Sequence, residues 1–220
     1  MEICVVGVNH HAAPVEVRER FSLPPPLAAR LLQTVRTATI CHEAVVLDTC
    51  NRTEIYYTAD NGNRAAQHLL QHIAQLKRTE PVRDLSAFYR HQGLAAVRRL
   101  FSVAAALDSQ VVGEHEILGQ LKDAYRVALE ARTARFLMNR LMHRAFRVGK
   151  RVRAETRLGE GSVSVAQAAV DLARRFLGDL NGKTVLLIGA GQTGALTAQA
   201  LVRASPASGR QRPPPCGNSG

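Results

Sequence analysis

A short polar turn joins two strand-like segments in the stretch Val45-Val46-Leu47-Asp48-Thr49-Cys50-Asn51-Arg52-Thr53-Glu54-Ile55. Apolar residues occupy positions 45–47 and β-forming residues resume at 55–57, so the chain between them must turn sharply and direct its polar groups outward. A thiol at such a turn, close to the cation of Arg52, is favoured as a thiolate nucleophile. The alternative is a buried cysteine at the end of a strand, the commoner fate of a reduced cysteine. The stretch therefore predicts a β-hairpin whose cysteine is either a nucleophile or a core residue.

Composition indicates a globular protein of one large domain or two smaller ones. The 220 residues are 46% hydrophobic, and no stretch approaches the length of a membrane span. The first residues, 1–8, run straight into a buried-strand pattern and lack the charged start of a signal peptide. The four cysteines show neither CxxC pairing nor zinc-ligand spacing; they are Cys4, Cys41, Cys50 and Cys216. We therefore expect a cytoplasmic protein with reduced thiols, no metal site and no membrane segment.

The net charge is strongly positive, with 29 Lys and Arg against 18 Asp and Glu. Much of the excess lies between 132 and 157, where Glu155 is the only acidic residue. The basic residues there are Arg132, Arg135, Arg140, Arg144, Arg147, Lys150, Arg151, Arg153 and Arg157. Such a helix is typical of a surface for a polyanion, and because aromatic residues are scarce we favour backbone contacts to a structured RNA over base stacking. The alternative is an ordinary solvated helix face.

Strand and helix patterns alternate in the first part of the chain, which predicts a small α+β domain. Strands are predicted at 3–8, 44–47 and 54–58, and helices at 25–38 and 63–77. From Leu94 onward the pattern is helical, which predicts a helical extension of this domain. A Gly-containing break at 157–161 predicts a domain boundary. We therefore divide the chain into a first domain at 1–157, a second region at 158–204 and a disordered tail at 205–220.

The second region contains a glycine motif between a predicted strand and a predicted helix. A helix is predicted to start at Ser164, and the apolar run 183–188 predicts a strand that leads into Gly189-Ala190-Gly191-Gln192-Thr193-Gly194. GxGxxG in this setting allows a tight turn and close approach of a pyrophosphate, which predicts the start of a Rossmann-type α/β dinucleotide-binding domain. The alternative is an ordinary Gly-rich turn. No acidic residue follows Asp179, so we expect this domain to be incomplete and the chain to be truncated or frame-shifted.

Several motifs together resemble glutamyl-tRNA reductase, and they follow the family's order over about the first 200 residues. They are Gly7-Val8-Asn9-His10 with Pro14-Val15-Glu16-Val17-Arg18-Glu19, Thr49-Cys50-Asn51-Arg52-Thr53-Glu54, Leu107-Asp108-Ser109, Gly113-Glu114-His115-Glu116-Ile117-Leu118-Gly119-Gln120, and Gly189–Gly194. The resemblance implies that 1–157 is a catalytic, glutamyl-tRNA-binding domain. It also implies that 158–204 begins an NADP-binding domain.

The resemblance further implies the reaction and its residues. Cys50 would attack the ester that joins glutamate to tRNA, and NADPH would reduce the resulting thioester to glutamate 1-semialdehyde, the first step of tetrapyrrole synthesis. The glutamate pocket would be lined by Thr49, Asn51, Arg52, Ser109, Glu114, His115, Glu116 and Gln120, with Arg52 as partner for a substrate carboxylate. NADPH would bind at Gly189, Ala190, Gly191, Gln192, Thr193 and Gly194. The resemblance also implies a homodimer and a handover of the product to an aminomutase, and we expect this chain to lack the family's dimerisation region.

Arg99 departs from the family's pattern, which usually has histidine before the Leu-Phe pair. Arginine stays protonated, so Arg99 is excluded as a general base but remains a candidate catalytic residue that stabilises a thiolate. His10, His11 and His91 are the candidate replacements for the base. Glu114 and Gln120 also have a purely structural reading, as residues that cap and cover a helix. A second functional hypothesis is a fragment that binds or hydrolyses glutamyl-tRNA without reducing it.

Overall fold

The computed structural model describes residues 1–38, 41–80, 87–109, 116–156, 158, 165–189 and 191–204. The chain divides into two compact units, Met1–Ser162 and Val163–Gly220. Five predictions fall on residues outside the described ranges: the roles of Glu114, His115 and Ala190, the helix start at Ser164, and the tail at 205–220. Of the predicted break at 157–161, only Leu158 is described.

The first unit is built on a four-stranded antiparallel sheet with the order β2-β3-β1-β4. Its strands are β1 (Glu2–Asn9), β2 (Glu43–Asp48), β3 (Arg52–Ala59) and β4 (Tyr89–Gln92). The three predicted strands are confirmed, each extended by a few residues. All residues of β3 are buried, which places its charged residues in the interior.

In the described part of the first unit, six helices cover this sheet and share its core. They are α1 (Val15–Phe21), α2 (Pro25–Ala38), α3 (Gly62–Lys77), α4 (Leu94–Ala104), α5 (Glu116–Glu130) and α6 (Phe136–Glu155). The predicted helices at 25–38 and 63–77 are confirmed, as is the helical pattern after Leu94. Because α4 packs on β1 while α5 and α6 pack on β2, these later helices belong to the same core as the sheet.

Helix α6 begins without a capping side chain of its own, because Arg135 makes no such hydrogen bond. The buried carboxylate of Glu43, on β2, takes that role. Its Oε2 accepts from the backbone N–H groups of Arg135 at 2.8 Å and Met138 at 2.9 Å, and its Oε1 accepts from that of Leu137 at 3.1 Å. A carboxylate at a helix N-terminus satisfies amide donors that lack intrahelical partners and complements the helix dipole. Glu43 therefore fixes the start of α6 to the sheet.

The second unit contains α7 (Val165–Leu177) and α8 (Gln192–Ala204), which pack through Val170, Leu180 and Ala200. The predicted strand at 183–188 is wrong, since these residues form no strand and Leu186 and Ile188 are 83% and 90% exposed. A strand needs a neighbour for its backbone hydrogen bonds, and the described part of this unit offers none.

Two classes of site are not found in the described part of the chain. No helix there is both long and apolar enough to span a membrane. No group of three or more His, Cys, Asp or Glu side chains there is arranged to hold a metal ion.

Candidate active site

Cys50 lies exposed at the tip of the hairpin that joins β2 and β3. The turn closes on Thr49, whose backbone N–H donates to the Arg52 carbonyl at 2.8 Å. The Thr49 hydroxyl oxygen also accepts from the backbone N–H groups of Asn51 and Arg52, each at 3.2 Å. From outside, Arg18 Nη1 donates to the Cys50 carbonyl at 2.7 Å. The backbone of the turn is therefore held on several sides, and Cys50 is exposed at its tip.

Arg52 lies directly below this turn, with its side chain 1% exposed, and is paired with Asp108. Its Nη1 lies 2.8 Å from Asp108 Oδ2, and its Nη2 donates to the Asp108 backbone carbonyl. Asn9 Nδ2 donates to the same Oδ2 at 3.4 Å. The Arg52 Nε is buried and finds no hydrogen-bond partner among the described residues. The pairing therefore orients Arg52 but leaves one of its donors without an acceptor.

Arg99 and Glu54 extend this pair into a largely buried network of two cations and two carboxylates. Arg99 Nη2 lies 2.6 Å from Glu54 Oε1 and 2.8 Å from Asp108 Oδ2. Glu54, which is fully buried, also accepts hydrogen bonds from the hydroxyls of Tyr56 and Tyr89. Buried charges require such pairing, because an isolated one would carry a large desolvation cost.

The network fixes the protonation of its members. Burial acts to lower the pKa of Arg99, but the attraction of Glu54 and hydrogen bonds to Glu54 and Asp108 raise it overall. Burial acts to raise the pKa of Asp108, but hydrogen bonding and attraction from Arg99 and Arg52 hold it below its ordinary value. Burial and the nearby Glu54 carboxylate raise the pKa of Tyr89. At neutral pH, Arg99 is therefore a cation, Asp108 an anion and Tyr89 a neutral phenol.

Two histidines lie beside the Cys50 turn. The backbone N–H of His10 donates to the Asn51 carbonyl at 3.0 Å, and the rings of His10 and His11 lie 3.9 Å apart. His11 Nε2 is 3.7 Å from Asp108 Oδ1. Burial, followed by the charges of His11 and Arg52, lowers the pKa of His10. The His10 imidazole is therefore kept neutral, and its buried Nδ1 has no hydrogen-bond partner among the residues described.

A cleft of about 590 Å³ opens on the other side of Arg99 and Asp108. His91, on β4, contributes to its wall and stacks on Tyr89 at 5.6 Å between ring centroids. The remaining wall residues are Leu94, Ala95, Arg98, Ser102 and Leu107. The cleft therefore combines an apolar wall with cations and one carboxylate.

The structure brings together only some of the predicted site residues. Thr49, Cys50, Asn51, Arg52 and Arg99 belong to the turn and the network below it. Ser109 follows Asp108 and is buried, and its hydroxyl has no hydrogen-bond partner in the described ranges. Glu116 is exposed at the start of α5 and Gln120 is half-buried on the same helix. Within the described residues, neither of these two is joined to the network by a hydrogen bond or ion pair.

Glu54, Asp108 and Tyr89 were not among the predicted site residues. The sequence does contain a signal for Glu54: a charged residue inside an apolar strand requires a buried partner of opposite charge. Glu54 follows this rule, whereas the identity of its partners depends on the fold.

The predicted cofactor motif forms a close turn onto α8. Gly189 has φ +101°, in the region that favours glycine, and a Cβ on Gly194 would lie 2.5 Å from the Gly189 carbonyl oxygen. Gln192 and Thr193 lie at the start of α8. Glycine is therefore favoured at 189 by the backbone conformation and required at 194 by the close approach of the helix to the turn.

Comparisons with known proteins point to one family. The sequence profile described as "Glutamyl-tRNAGlu reductase, N-terminal domain" matches residues 6–156. The chain is 48% identical over 200 residues to the glutamyl-tRNA reductase of Pelobacter propionicus; the aligned region covers 90% of this chain and 46% of that relative. It is 45% identical over 202 residues to that of Magnetococcus marinus, which covers 92% of this chain and 48% of the relative.

A solved structure with this fold is similar over the same extent. The glutamyl-tRNA reductase from Methanopyrus kandleri matches with a TM-score of 0.64 and 35% sequence identity, over 92% of this chain and 47% of that chain. The chain thus spans about half the length of the relatives it matches. With its mixed helix-and-strand N-terminal fold and its Cys50 hairpin, the chain belongs to the glutamyl-tRNA reductase family.

Proposed function

We propose that this chain accepts the glutamyl group of glutamyl-tRNA on Cys50, as the first half of the NADPH-dependent reduction that yields glutamate 1-semialdehyde for tetrapyrrole synthesis. The observation that carries the proposal is the exposed thiol at the tip of a turn whose base is fixed by a buried charge network. A nucleophile needs access to its substrate and a fixed position, and this turn supplies both.

In the proposed step, the Cys50 sulfur forms a bond to the ester carbonyl carbon. The bond from that carbon to the ribose oxygen then breaks, and the released tRNA hydroxyl takes up a proton. Cys50 must first lose its thiol proton, and Arg99 is unsuited to accept it because its raised pKa keeps it charged. The product is a glutamyl thioester, which is more readily reduced than an ester.

Arg52 remains our candidate for holding a substrate carboxylate, together with Thr49, Asn51 and Ser109. The Nη atoms of Arg52 already bind Asp108, so a substrate carboxylate must share this arginine with Asp108 or displace it. Among the described residues, the buried Arg52 Nε and Ser109 hydroxyl have no hydrogen-bond partner, which supports binding of a polar ligand by these two groups. Glu114, His115, Glu116 and Gln120 stay proposed members of the same pocket.

The second half of the reaction needs a nicotinamide cofactor, which supplies hydride when bound. The glycines fit the pyrophosphate of such a cofactor, because Gly189 adopts a φ that favours glycine and Gly194 leaves no side chain between the turn and the start of α8. We therefore propose that Gly189, Ala190, Gly191, Gln192, Thr193 and Gly194 contact NADPH.

Acyl transfer is tested separately from reduction by incubating the chain with radiolabelled glutamyl-tRNA in the absence of NADPH. After an acid quench and protease digestion, we expect label on the peptide that contains Cys50, and release of that label by hydroxylamine, which cleaves thioesters. Cys50→Ser is the matched variant and should carry no hydroxylamine-sensitive label. Cys4 and Cys41 act as internal controls because both are buried.

An unlabelled Cys50 peptide, or equal labelling of Cys50→Ser, would refute the proposal. Release of glutamate without an accumulating adduct would instead identify a thiol-dependent hydrolase, provided that Cys50→Ser abolishes the release. Addition of NADPH and an aldehyde-trapping reagent then tests whether this chain also performs the reduction.

A further inference from the structure

Helix α6 has one buried face and one basic face on opposite sides. Its residues Met138, Leu141, Met142, Ala145 and Gly149 are buried. The exposed residues Arg140, Arg144, Arg147 and Lys150, called here the basic face, follow one another at intervals of three or four positions. At 100° per residue these four lie within about a third of the helix circumference, opposite the buried residues. The basic face is therefore a continuous strip about 15 Å long.

The charge of the basic face is not neutralised by neighbouring acids. In the part of the chain that the structure describes, no carboxylate pairs with any of its four members. The acidic residue of this helix, Glu155, pairs with Arg151 at 2.8 Å instead. By contrast, Arg126 on the neighbouring α5 contacts both Asp123 and Glu130. Uncompensated charges in a row raise the local potential and attract a polyanion.

The strip is also rigidly presented. Glu43 holds the first turn of α6 with three hydrogen bonds, and the buried face packs on the sheet and on α4. Close to its N-terminal end, Phe136 is 68% exposed, and the Arg140 guanidinium carbon lies 5.4 Å from the centre of its ring. An exposed aromatic ring stacked with arginine is a surface on which an unpaired base can stack.

We infer that the basic face of α6 binds the phosphate backbone of the tRNA portion of the substrate; this inference rests on the proposed function for the identity of the RNA. Arginines at intervals of three or four residues offer donors about 5–6 Å apart along the helix, as contacts with successive phosphates require. A membrane surface is disfavoured because an interfacial helix directs a broad apolar face towards the lipid, whereas the apolar face of α6 is buried in the core.

The test compares binding of unacylated tRNA(Glu) to the full chain and to the double variant Arg144→Gln/Arg147→Gln, by fluorescence anisotropy from 50 to 300 mM salt. We expect the variant to bind about tenfold or more weakly at 100 mM salt, with a salt slope smaller by roughly 1.5, because each lost phosphate contact removes about 0.7–0.9 of a released counterion. The matched control, Arg30→Gln/Arg36→Gln, removes the same charge from exposed positions of α2 and should bind within about twofold of the wild type.

Unchanged affinity and salt slope in the α6 variant would overturn the inference, as would an equal loss in the α2 control, since net charge alone would then explain binding. Binding to phosphatidylserine vesicles that depends on the same arginines, without binding to tRNA, would also overturn it in favour of a membrane partner. Failure of the proposed acyl transfer can be distinguished from failure of this tRNA-binding inference. A Cys50 that remains unlabelled although tRNA binds through α6 would refute acyl transfer and support this surface.

Discussion

Replacement of Glu43 tests the long-range polar contact that fixes the start of α6 to the sheet. The carboxylate accepts three backbone N–H groups at 2.8–3.1 Å and is 4% exposed. Glu43→Gln keeps the size but removes the charge and converts one acceptor oxygen into an NH₂ donor that faces amide donors. We expect a loss of about 2 kcal/mol in the free energy of unfolding, close to that of a lost helix cap with charged hydrogen bonds. Glu43→Ala should cost about 3–4 kcal/mol, because all three donors then lose their carboxylate acceptor inside the protein.

The measurement is urea unfolding followed by tyrosine fluorescence. The chain has four tyrosines and no tryptophan, and Tyr56, Tyr57, Tyr89 and Tyr125 all lie in the first unit, so the signal reports on that unit alone. Glu130→Gln is the matched control, since it removes the same charge from an exposed pair with Arg126 and should cost less than about 0.5 kcal/mol. A loss below about 0.5 kcal/mol for Glu43→Gln, at an unchanged urea dependence, would refute the assigned capping role.

Three further predictions concern the network and the thiols. Gly7→Ala should destabilise the first unit by about 1–3 kcal/mol in the same urea assay, because the added Cβ would lie 2.9 Å from the Thr53 carbonyl oxygen and from Tyr89 Oη. The control Gly119→Ala, in open space on α5, should be neutral or stabilising. Equal stabilities of the two variants would count against the close approach at Gly7. Asp108→Asn should be less stable than the wild type at neutral pH, and this difference in the free energy of unfolding should shrink as the pH falls below about 4. The reason is that the pKa of Asp108 is lower in the folded than in the unfolded protein, so its stabilising effect is present above the unfolded pKa and is lost as the pH falls through the folded pKa. A difference that does not change with pH would contradict this. In native protein, iodoacetamide should modify Cys50 far faster than Cys4 or Cys41, since burial raises the pKa of Cys4 and raises that of Cys41 to about 12; mass mapping of the modified peptides would reveal the opposite order.

Local sequence patterns account for most elements of the first unit. Helix α2 begins and ends as predicted at 25 and 38, because a proline pair suits the first turn and its apolar residues recur at helical spacing. The strand β4 escapes prediction because its four residues, Tyr89–Gln92, are polar and become a strand only by pairing with β1. The run at 183–188 fails for the opposite reason: its apolar composition is typical of a strand, but the described residues provide no neighbour to pair with it.

The candidate site is likewise predictable from the sequence only where its contacts are local. The exposed Cys50 turn follows from the local sequence, because Thr49 closes the hairpin through contacts with Asn51 and Arg52. The partners of Arg52 and Glu54 cannot be predicted from the local sequence, because Asp108 lies 56 residues from Arg52 and Arg99 lies 45 residues from Glu54. Only the packing of α4 and its following turn against the sheet brings these charges together, and no periodicity in the chain encodes that distance.

Arg99 illustrates how the surroundings of a residue decide what chemistry it can perform. Two carboxylates, Glu54 and Asp108, balance the two guanidiniums of Arg52 and Arg99, so the four groups together add no net charge beneath the Cys50 turn. Stabilisation of a thiolate must therefore depend on where individual donors point rather than on a surplus of positive charge. A proton acceptor must also be a neutral base at working pH. Arg99 fails this condition because its pKa is raised. His10 meets it, because burial, followed by the charges of His11 and Arg52, lowers the pKa of its imidazole. For the proposed deprotonation of Cys50, His10 and His11, in the turn that follows β1, are therefore better candidates than Arg99.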